Sequence, residues 1–340
     1  MTDEQFQQLL KNSGFLTRES VNLLAPPDAI ETHVSYVILT EQWVYKIKKT
    51  LLLPFLDFTT VAQRRHYCEE ELRLNQRLAP QMYHAVLPIK QHHDQYLIGE
   101  GEGVTIDYAL KMKRMDNALE MDKMLAMKKV QKLHIISLAQ KVAEFHGSAK
   151  VTRPNYSVSY FQELFNPIGG LSDNLVQHVG IDYRAIVEQA IAASDYFLDN
   201  HIDLLRQRCE NGLVRDVHGD LHSKNIFLTT PPTIFDCIEF DASLRQIDLL
   251  NEVAFLCMDL DFWQHESLSQ LFYQTYSDYA QSFNIADIKH SQLFIYYKLY
   301  RANVRAKVLS MQAQESAWSP QLQEEIKRYL LLMKHYISLL

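Results

Sequence analysis

The sequence is poor in cysteine and glycine, in uninterrupted apolar runs and in net positive charge. Its four cysteines, Cys68, Cys209, Cys237 and Cys257, are scattered without a C-x-x-C pair. That excludes a zinc knuckle or a disulfide framework and leaves reduced, buried thiols. Only ten of 340 residues are glycine, and none of them forms a phosphate-binding G-x-x-x-x-G-K-[ST] loop. Gly99, Gly101 and Gly103 crowd too closely for the G-x-G-x-x-G fingerprint and read as a hairpin turn. No run approaches the roughly 18 apolar residues of a membrane span. The start, MTDEQFQQLLKNSGF, carries acidic and amide residues where a secretory signal would be basic and then apolar. A cytoplasmic protein without a membrane partner is expected. With 34 Lys and Arg against 41 Asp and Glu, the formal charge is −7. Such a surface has no overall attraction for phosphodiester backbones, and no nucleic-acid partner is expected.

What is present is ordinary globular material: 47% hydrophobic and 22% charged residues. At roughly 150 residues per domain the length suits two domains or lobes. From about Ser20 to Met115 strand signals dominate. HVSYVILT (33–40) and WVYKIK (43–48), separated by Glu41-Gln42, read as a β-hairpin. LLLPFLDF (51–58) follows, broken by Pro54, and Thr60-x-x-Gln63 then has the capping-box pattern of a helix running to about Leu78. Further strands are expected at 85–89, 96–98 and 104–113. Beyond Asp116 apolar residues recur every three or four positions, clearest over 133–146 and 183–209, which predicts long helices. One β island interrupts them, NIFL and TIFD flanking Thr229-Thr230-Pro231-Pro232, a second short hairpin. The expectation is an α+β, two-lobed chain. A small antiparallel-sheet lobe with one main helix spans 1–113, a larger helical lobe spans 114–340, and a hinge with a cleft lies at about 112–116.

The sharpest motif is Val217-His218-Gly219-Asp220-Leu221-His222-Ser223-Lys224-Asn225, which fits H-x-D-x-x-x-x-N. In phosphoryl transfer such a loop lets the aspartate orient a hydroxyl and take its proton, while the asparagine oxygen holds magnesium on the nucleotide. The metal also needs an anionic oxygen. Asp236, at the end of the returning strand TIFD, is brought back toward Asn225 by the hairpin and supplies it.

With HGDLHSKN and the downstream IFDCIEFD, the chain resembles the aminoglycoside phosphotransferase family, a branch of the protein-kinase-like fold. It is most similar to an uncharacterised bacterial subgroup in which segments like ETHVSYVILT, VYKIKK, FLDF, EEELRLNQRLAP and FDCIEF recur in this order, so the resemblance covers nearly the whole chain. The resemblance implies that ATP binds between the lobes and that its terminal phosphoryl group passes to a hydroxyl positioned by Asp220. Asp248, twelve residues after Asp236, matches a family position whose carboxylate braces the catalytic loop, and His218 is expected to be a packed, hydrogen-bonded loop residue.

Against the needs of ATP, alternation places Val44, Lys46 and Lys48 on one strand face. A small apolar residue against adenine, followed two positions later by the phosphate lysine, selects Lys46, with Lys48 as the alternative. Its helix carboxylate is read as Glu71, with Glu69 and Glu70 as weaker choices. The phosphate loop, Glu31-Thr32-His33-Val34-Ser35, has no glycine and departs from protein kinases; the resembling phosphotransferases use hydroxyl or amide side chains and backbone N–H groups there, which implies Thr32 and Ser35 as phosphate contacts. Adenine is expected against backbone atoms from Lys113 to Met115, with Met112 and Met115 as apolar walls. His218 and His222 lack the helix and the intervening Glu of a metal pair. His92-His93 reads as an exposed loop. Lys298, Arg301 and Arg305 share a helix face that is read as solvated or salt-bridged before it is read as a grip on an anionic acceptor, whereas Asp259 and Asp261 would suit a cationic one. The activity expected is ATP- and magnesium-dependent transfer to the hydroxyl of a small molecule. A kinase of protein side chains and a non-catalytic ATP-binding regulatory module are the alternatives; no protein partner is indicated.

Overall fold

The computed structural model describes residues 1–11, 28–53, 56–281 and 291–340; Pro54 lies outside them. Along the chain the first elements are α1 (Asp3–Lys11), β1 (Asp28–Glu31), β2 (Ser35–Leu39), β3 (Trp43–Lys48), β4 (Leu52–Leu53), β5 (Leu56–Asp57) and α2 (Val61–Asn75). Next come β6 (Tyr83–His92), β7 (Gln95–Ile98), β8 (Val104–Lys113), α3 (Met121–Ala126), α4 (Lys132–Ser148), α5 (Val158–Phe165), α6 (Ser172–His178) and α7 (Asp182–Glu210). The remainder is β9 (Val214–Asp216), β10 (Ile226–Phe227), β11 (Thr233–Ile234), β12 (Gln246–Asp248), α8 (Leu249–Phe262), α9 (Glu266–Ala280), α10 (Ser291–Glu315) and α11 (Pro320–Ile337).

These elements form two compact units. The first is Met1–Leu119 with Thr233–Ala242, and the second is Glu120–Pro232 with Ser243–Leu340. The division falls at Leu119, a few residues beyond the 113/114 boundary drawn from sequence, and the first unit also takes back the ten residues Thr233–Ala242, which begin with the second strand of the β island. Specific bonds hold that return segment: Gln81 Nε2 donates to Thr233 Oγ1 at 2.8 Å and Cys237 N to Asn75 Oδ1 at 2.9 Å.

In the first unit six strands make an antiparallel sheet in the order β1-β2-β3-β8-β6-β7. Alternation buries Tyr36, Ile38, Tyr45 and Ile47, which pack with Ile89, Ile98 and Ala109 and with Phe6 and Leu9 of α1. Each such side chain, fully buried, contributes about 1.5–3 kcal/mol of transfer free energy. The capping box of Thr60 and Gln63 starts α2 as expected. That helix buries a polar stripe, Arg64, Cys68, Glu71 and Asn75, at helical spacing. Arg64 Nε reaches both oxygens of Asp107 on β8 at 2.9 and 3.0 Å, which fastens the helix to the sheet and fixes which way Glu71 faces.

The glycine segment corrects the sequence reading. β7 pairs with one edge of β6 and β8 with the other, so Gly99–Gly103 carries the chain across the end of β6 and closes no hairpin. The hairpin turn is at His93-Asp94, where His93 has φ 54°. Gly103 has φ +119°, and a Cβ there would meet Gln91 O at 2.5 Å, so the crossing needs glycine.

The second unit is mostly helical. Phe165, Ile168 and Leu175 pack with Val187 and Ala190 of α7, Phe255 and Met258 of α8, Leu299 and Ala302 of α10, and Leu330 and Met333 of α11. Helix α8 is buried on every side from Leu249 to Leu260 and forms the spine of the unit. β9 and β12 pair in register Gln246↔Asp216 to Asp248↔Val214 and deliver the chain into the loop 217–225.

Candidate functional site

The loop 217–225 lies wholly in the second unit and is held from several sides. Val217 N bonds Arg245 O at 2.9 Å. Gly219 turns the chain at φ +87°, where a Cβ would sit 2.8 Å from Leu244 O, so no other residue fits without displacing backbone. Glu252 Oε1 accepts from Gly219 N at 2.6 Å, Asp259 Oδ2 accepts from Ser223 N at 2.7 Å, and Arg301 donates to Gly219 O at 3.2 Å. None of these three supports was assigned from sequence. A buried carboxylate on the wholly buried α8 is a signal that only burial makes readable.

Within the loop, Asp220 Oδ2 collects two donors. Asn225 Nδ2 reaches it at 3.0 Å, and His222 Nε2 lies at 3.2 Å. His222 Nδ1 accepts from Lys224 N at 3.2 Å, which puts the ring proton on Nε2 and makes that nitrogen the donor. Asp220 Oδ1 has no partner among the described residues. Burial alone would raise the Asp220 pKa, but His222, Arg305 and His218 outweigh it and hold the carboxyl well below its ordinary range. His218 is buried, and its Nδ1 accepts from Asp220 N at 3.3 Å. Asn225, having given its amide nitrogen to Asp220, keeps its Oδ1 for another partner.

In the first unit, Lys46, Glu71 and Asp236 come together, joined by Lys48 and Glu239. Lys46 Nζ bonds Glu71 Oε1 at 2.8 Å and Asp236 Oδ1 at 3.0 Å; Lys48 Nζ bonds Glu71 Oε2 at 2.8 Å and Glu239 Oε1 at 2.6 Å. The result is a chain of alternating charge, Asp236, Lys46, Glu71, Lys48, Glu239. The Lys46 side chain keeps 19% exposure and that of Lys48 only 2%, so Lys46 is the lysine that solvent and a solute can reach. Burial opposes ionisation of Glu71, yet the two lysines hold its pKa down to about 2. Burial also opposes the charge on Lys46, and Asp236 and Glu71 reverse that and raise it. Glu239 goes the other way, raised chiefly by burial.

Asp236 does not sit in a strand. β11 ends at Ile234, and Asp236 has φ 63°, an unusual value for a non-glycine residue that bends the chain so that Glu239 re-enters toward Lys48. Tyr83 OH accepts from Asp236 N at 3.2 Å. Asp236 and Asn225 belong to different units. Thr32 spends its hydroxyl inside its own turn, accepting from Ser35 N at 3.0 Å and donating to Ser35 O at 2.9 Å, while the Ser35 hydroxyl is buried without a partner among the described residues. Lys113 N donates to Met82 O at 2.7 Å, whereas Met115 forms no hydrogen bond among the described residues. Asp248 caps α8 through Leu250 N at 2.8 Å and grips the buried Arg208 in two bonds of 2.6 and 2.8 Å. Its carboxylate thus ties α7 to α8, and the bracing of the loop expected of it falls to Glu252 and Asp259.

Two of the helix-face cations of α10 are engaged within the protein. Lys298 pairs with Asp261 at 2.7 Å, and Arg301 is buried against Asn251 Oδ1 at 2.6 Å and the Phe255 ring. Asp259 and Asp261 are therefore already engaged and are not an open seat for a cationic acceptor.

No protein-family model matches the chain. Uncharacterised proteins of Mycobacterium bovis and Mycobacterium tuberculosis are 26% identical to it over 316 residues, covering 92% of this chain, which spans 60% of their length. Among solved structures, the amicoumacin kinase hAmiN in complex with AMP-PNP, Ca2+ and Ami is similar with a TM-score of 0.55 at 14% identity, covering 98% of this chain and 93% of that one. A choline/ethanolamine kinase family protein from Mesorhizobium loti gives 0.53 at 12%, covering 99% and 97%. The choline kinase from Cryptosporidium parvum Iowa II gives 0.55 at 11%, with the same coverage. At such identities the likeness is one of fold: an antiparallel-sheet unit with one main helix, followed by a larger helical unit, is the α+β kinase-like architecture that this chain shares with small-molecule kinases.

Proposed function

We propose that the protein is an ATP- and magnesium-dependent phosphotransferase that moves the terminal phosphoryl group to a hydroxyl of a small molecule. The observation that carries this reading is the state of Asp220: a carboxylate kept ionised, with Oδ2 tied by two donors and Oδ1 left for a third. Oδ1 accepts the hydrogen bond of the acceptor hydroxyl and aims its oxygen at phosphorus. A strongly ionised carboxylate is a weak base, so the proton moves late, as the oxygen–phosphorus bond forms and the bond to the leaving nucleotide breaks.

Lys46 meets the α- and β-phosphates, and Glu71 holds it in place. The backbone from Lys113 to Met115 meets adenine, and Met115 carries no competing hydrogen bond. Thr32 and Ser35 shape the turn over the phosphates, Thr32 through its own bonds to the turn. Each unit has an oxygen that would suit magnesium: Asn225 in the second offers an amide oxygen, and Asp236 in the first offers Oδ2, its Oδ1 being on Lys46. Among the described residues no group of three His, Cys, Asp or Glu could hold a metal ion. Magnesium, when bound, neutralises charge on the phosphates.

The test is ATP consumption with magnesium against pooled hydroxylated metabolites, with Asp220→Asn and Asp236→Asn as controls. Turnover in one pool, lost by about a hundredfold or more in both variants, is expected. Turnover that survives Asp220→Asn overturns the assignment of the base. Label from γ-labelled ATP appearing in protein instead of the low-mass fraction would move the reading to a protein acceptor.

A further inference from the structure

Helix α10 carries three cations at one-turn intervals past the loop that holds Asp220, and they differ in what answers their charge. Lys298 has Asp261. Arg301 has Asn251, the Gly219 carbonyl and the Phe255 ring. Arg305, one turn further along, has no carboxylate partner, and its one side-chain hydrogen bond is to Tyr329. Its Nε is closed off from solvent and bonds nothing, and its guanidinium carbon lies 5.9 Å from the centre of the Tyr329 ring. Among the described residues it enters no ion pair. The two carboxylates whose fields reach it are Asp220 and Asp259. Asp259 bonds Ser223 N, and Asp220 Oδ2 bonds His222 and Asn225, so neither closes on Arg305. A partly buried guanidinium presents a planar fork of N–H donors matched to a carboxylate or phosphate. No carboxylate closes on the fork and its buried Nε stays unused, while the charge sits within electrostatic reach of the base.

We propose that Arg305 is a specificity-determining residue that receives an anionic group, carboxylate or phosphate, carried by the acceptor whose hydroxyl Asp220 orients. The acceptor is then a hydroxylated anion, such as a hydroxy acid, a sugar acid or a sugar phosphate. The neighbouring carboxylates do not argue for a cation, because Asp261 is neutralised by Lys298 and Asp259 is spent on the loop backbone. This inference rests on the phosphotransferase reading, and its test separates the two.

Three acceptor sets are offered with ATP and magnesium: glycerate, gluconate and glycerol 3-phosphate; their neutral counterparts glycerol and glucose; and the amino compounds ethanolamine and kanamycin. Turnover confined to the anionic set is expected. Arg305→Met should raise the acceptor KM about tenfold or more, the loss of one charge-assisted contact, with the KM for ATP unchanged. Arg305→Lys should recover part of the loss. Gluconate against glycerol 3-phosphate tells carboxylate from phosphate. Turnover of a neutral or amino acceptor, indifferent to Arg305→Met, overturns the inference and keeps the phosphotransferase. A rise in the KM for ATP alone overturns it too, since the anion would then belong to the nucleotide. If no set turns over, saturation-transfer NMR decides. Binding of gluconate or glycerol 3-phosphate that Arg305→Met abolishes upholds the anion subsite while the transferase reading falls, and no such binding overturns the subsite.

Discussion

Lys46 and Lys48 share a strand face and a partner, Glu71, yet depth gives them different work. Lys48 and Glu71 are nearly without exposure and Glu239 closes over Lys48, whereas Lys46 keeps an open side. Removing a buried charge leaves its partners uncompensated, so Lys48→Met should cost about 3–5 kcal/mol of unfolding free energy. Lys46→Met should cost far less stability but lower ATP turnover about a hundredfold. Urea unfolding and turnover measured on both variants check the contrast, and equal destabilisation would contradict it. Alternation in VYKIK could place both lysines on one face but not rank them by depth, because depth is set by what the rest of the chain lays over the strand. Glu71 was legible within EEE because 71–78 has the Glu-apolar-x-apolar-x-x-x-Leu spacing of a kinase helix, and the structure sets it on one buried helix face with Arg64, Cys68 and Asn75. Glu239 was not legible, since the bend at Asp236 that returns it to Lys48 is a left-handed backbone conformation in a residue type that seldom adopts one.

At the level of elements, periodicity did well where a helix has one wet face. The helices expected over 133–146 and 183–209 are α4 (Lys132–Ser148) and α7 (Asp182–Glu210). It failed where order along the chain is not order in the sheet, as at Gly99–Gly103, and it said nothing of the polar residues inside α8. There Glu252 joins two bodies of structure: Oε2 lies 2.7 Å from His146 Nε2, whose Nδ1 is 2.7 Å from Tyr276 OH, while Oε1 holds Gly219 N. Burial would raise the Glu252 pKa, but bonds from His146 and Gly219 hold it low, the mark of a carboxylate that stays charged to accept. An amide in its place turns one acceptor into a donor facing a donor. Glu252→Gln should therefore cost about 3 kcal/mol, speed hydrogen exchange at the Gly219 amide and lower kcat more than the acceptor KM. An unchanged Gly219 exchange rate would mean that the carboxylate does not hold the loop.

For the molecule as a whole, these same carboxylates decide how it meets acid. With a formal charge of −7, protonation at first brings the chain nearer neutrality, so overall repulsion does not drive the early response. Specific groups do. Glu71 in the first unit and Asp220 and Glu252 in the second have folded pKa values below their ordinary ones. The unfolded chain therefore binds more protons than the folded chain as pH falls through the ordinary carboxylate range. Their stabilisation is complete above the ordinary Glu value of 4.5 and is lost as pH drops toward about 2, where Glu71 titrates in the fold. Glu239, raised by burial, has the opposite sign: its contribution is present at low pH and is lost as pH rises through its folded value. Melting temperature followed from pH 7 to 3 should hold nearly level and then fall below about pH 4.5. Glu71→Gln should melt lower at pH 7 and show a shallower fall in acid, because one of the groups that couples stability to pH is gone. Parallel curves for the two proteins would locate the acid response elsewhere and remove Glu71 from the account.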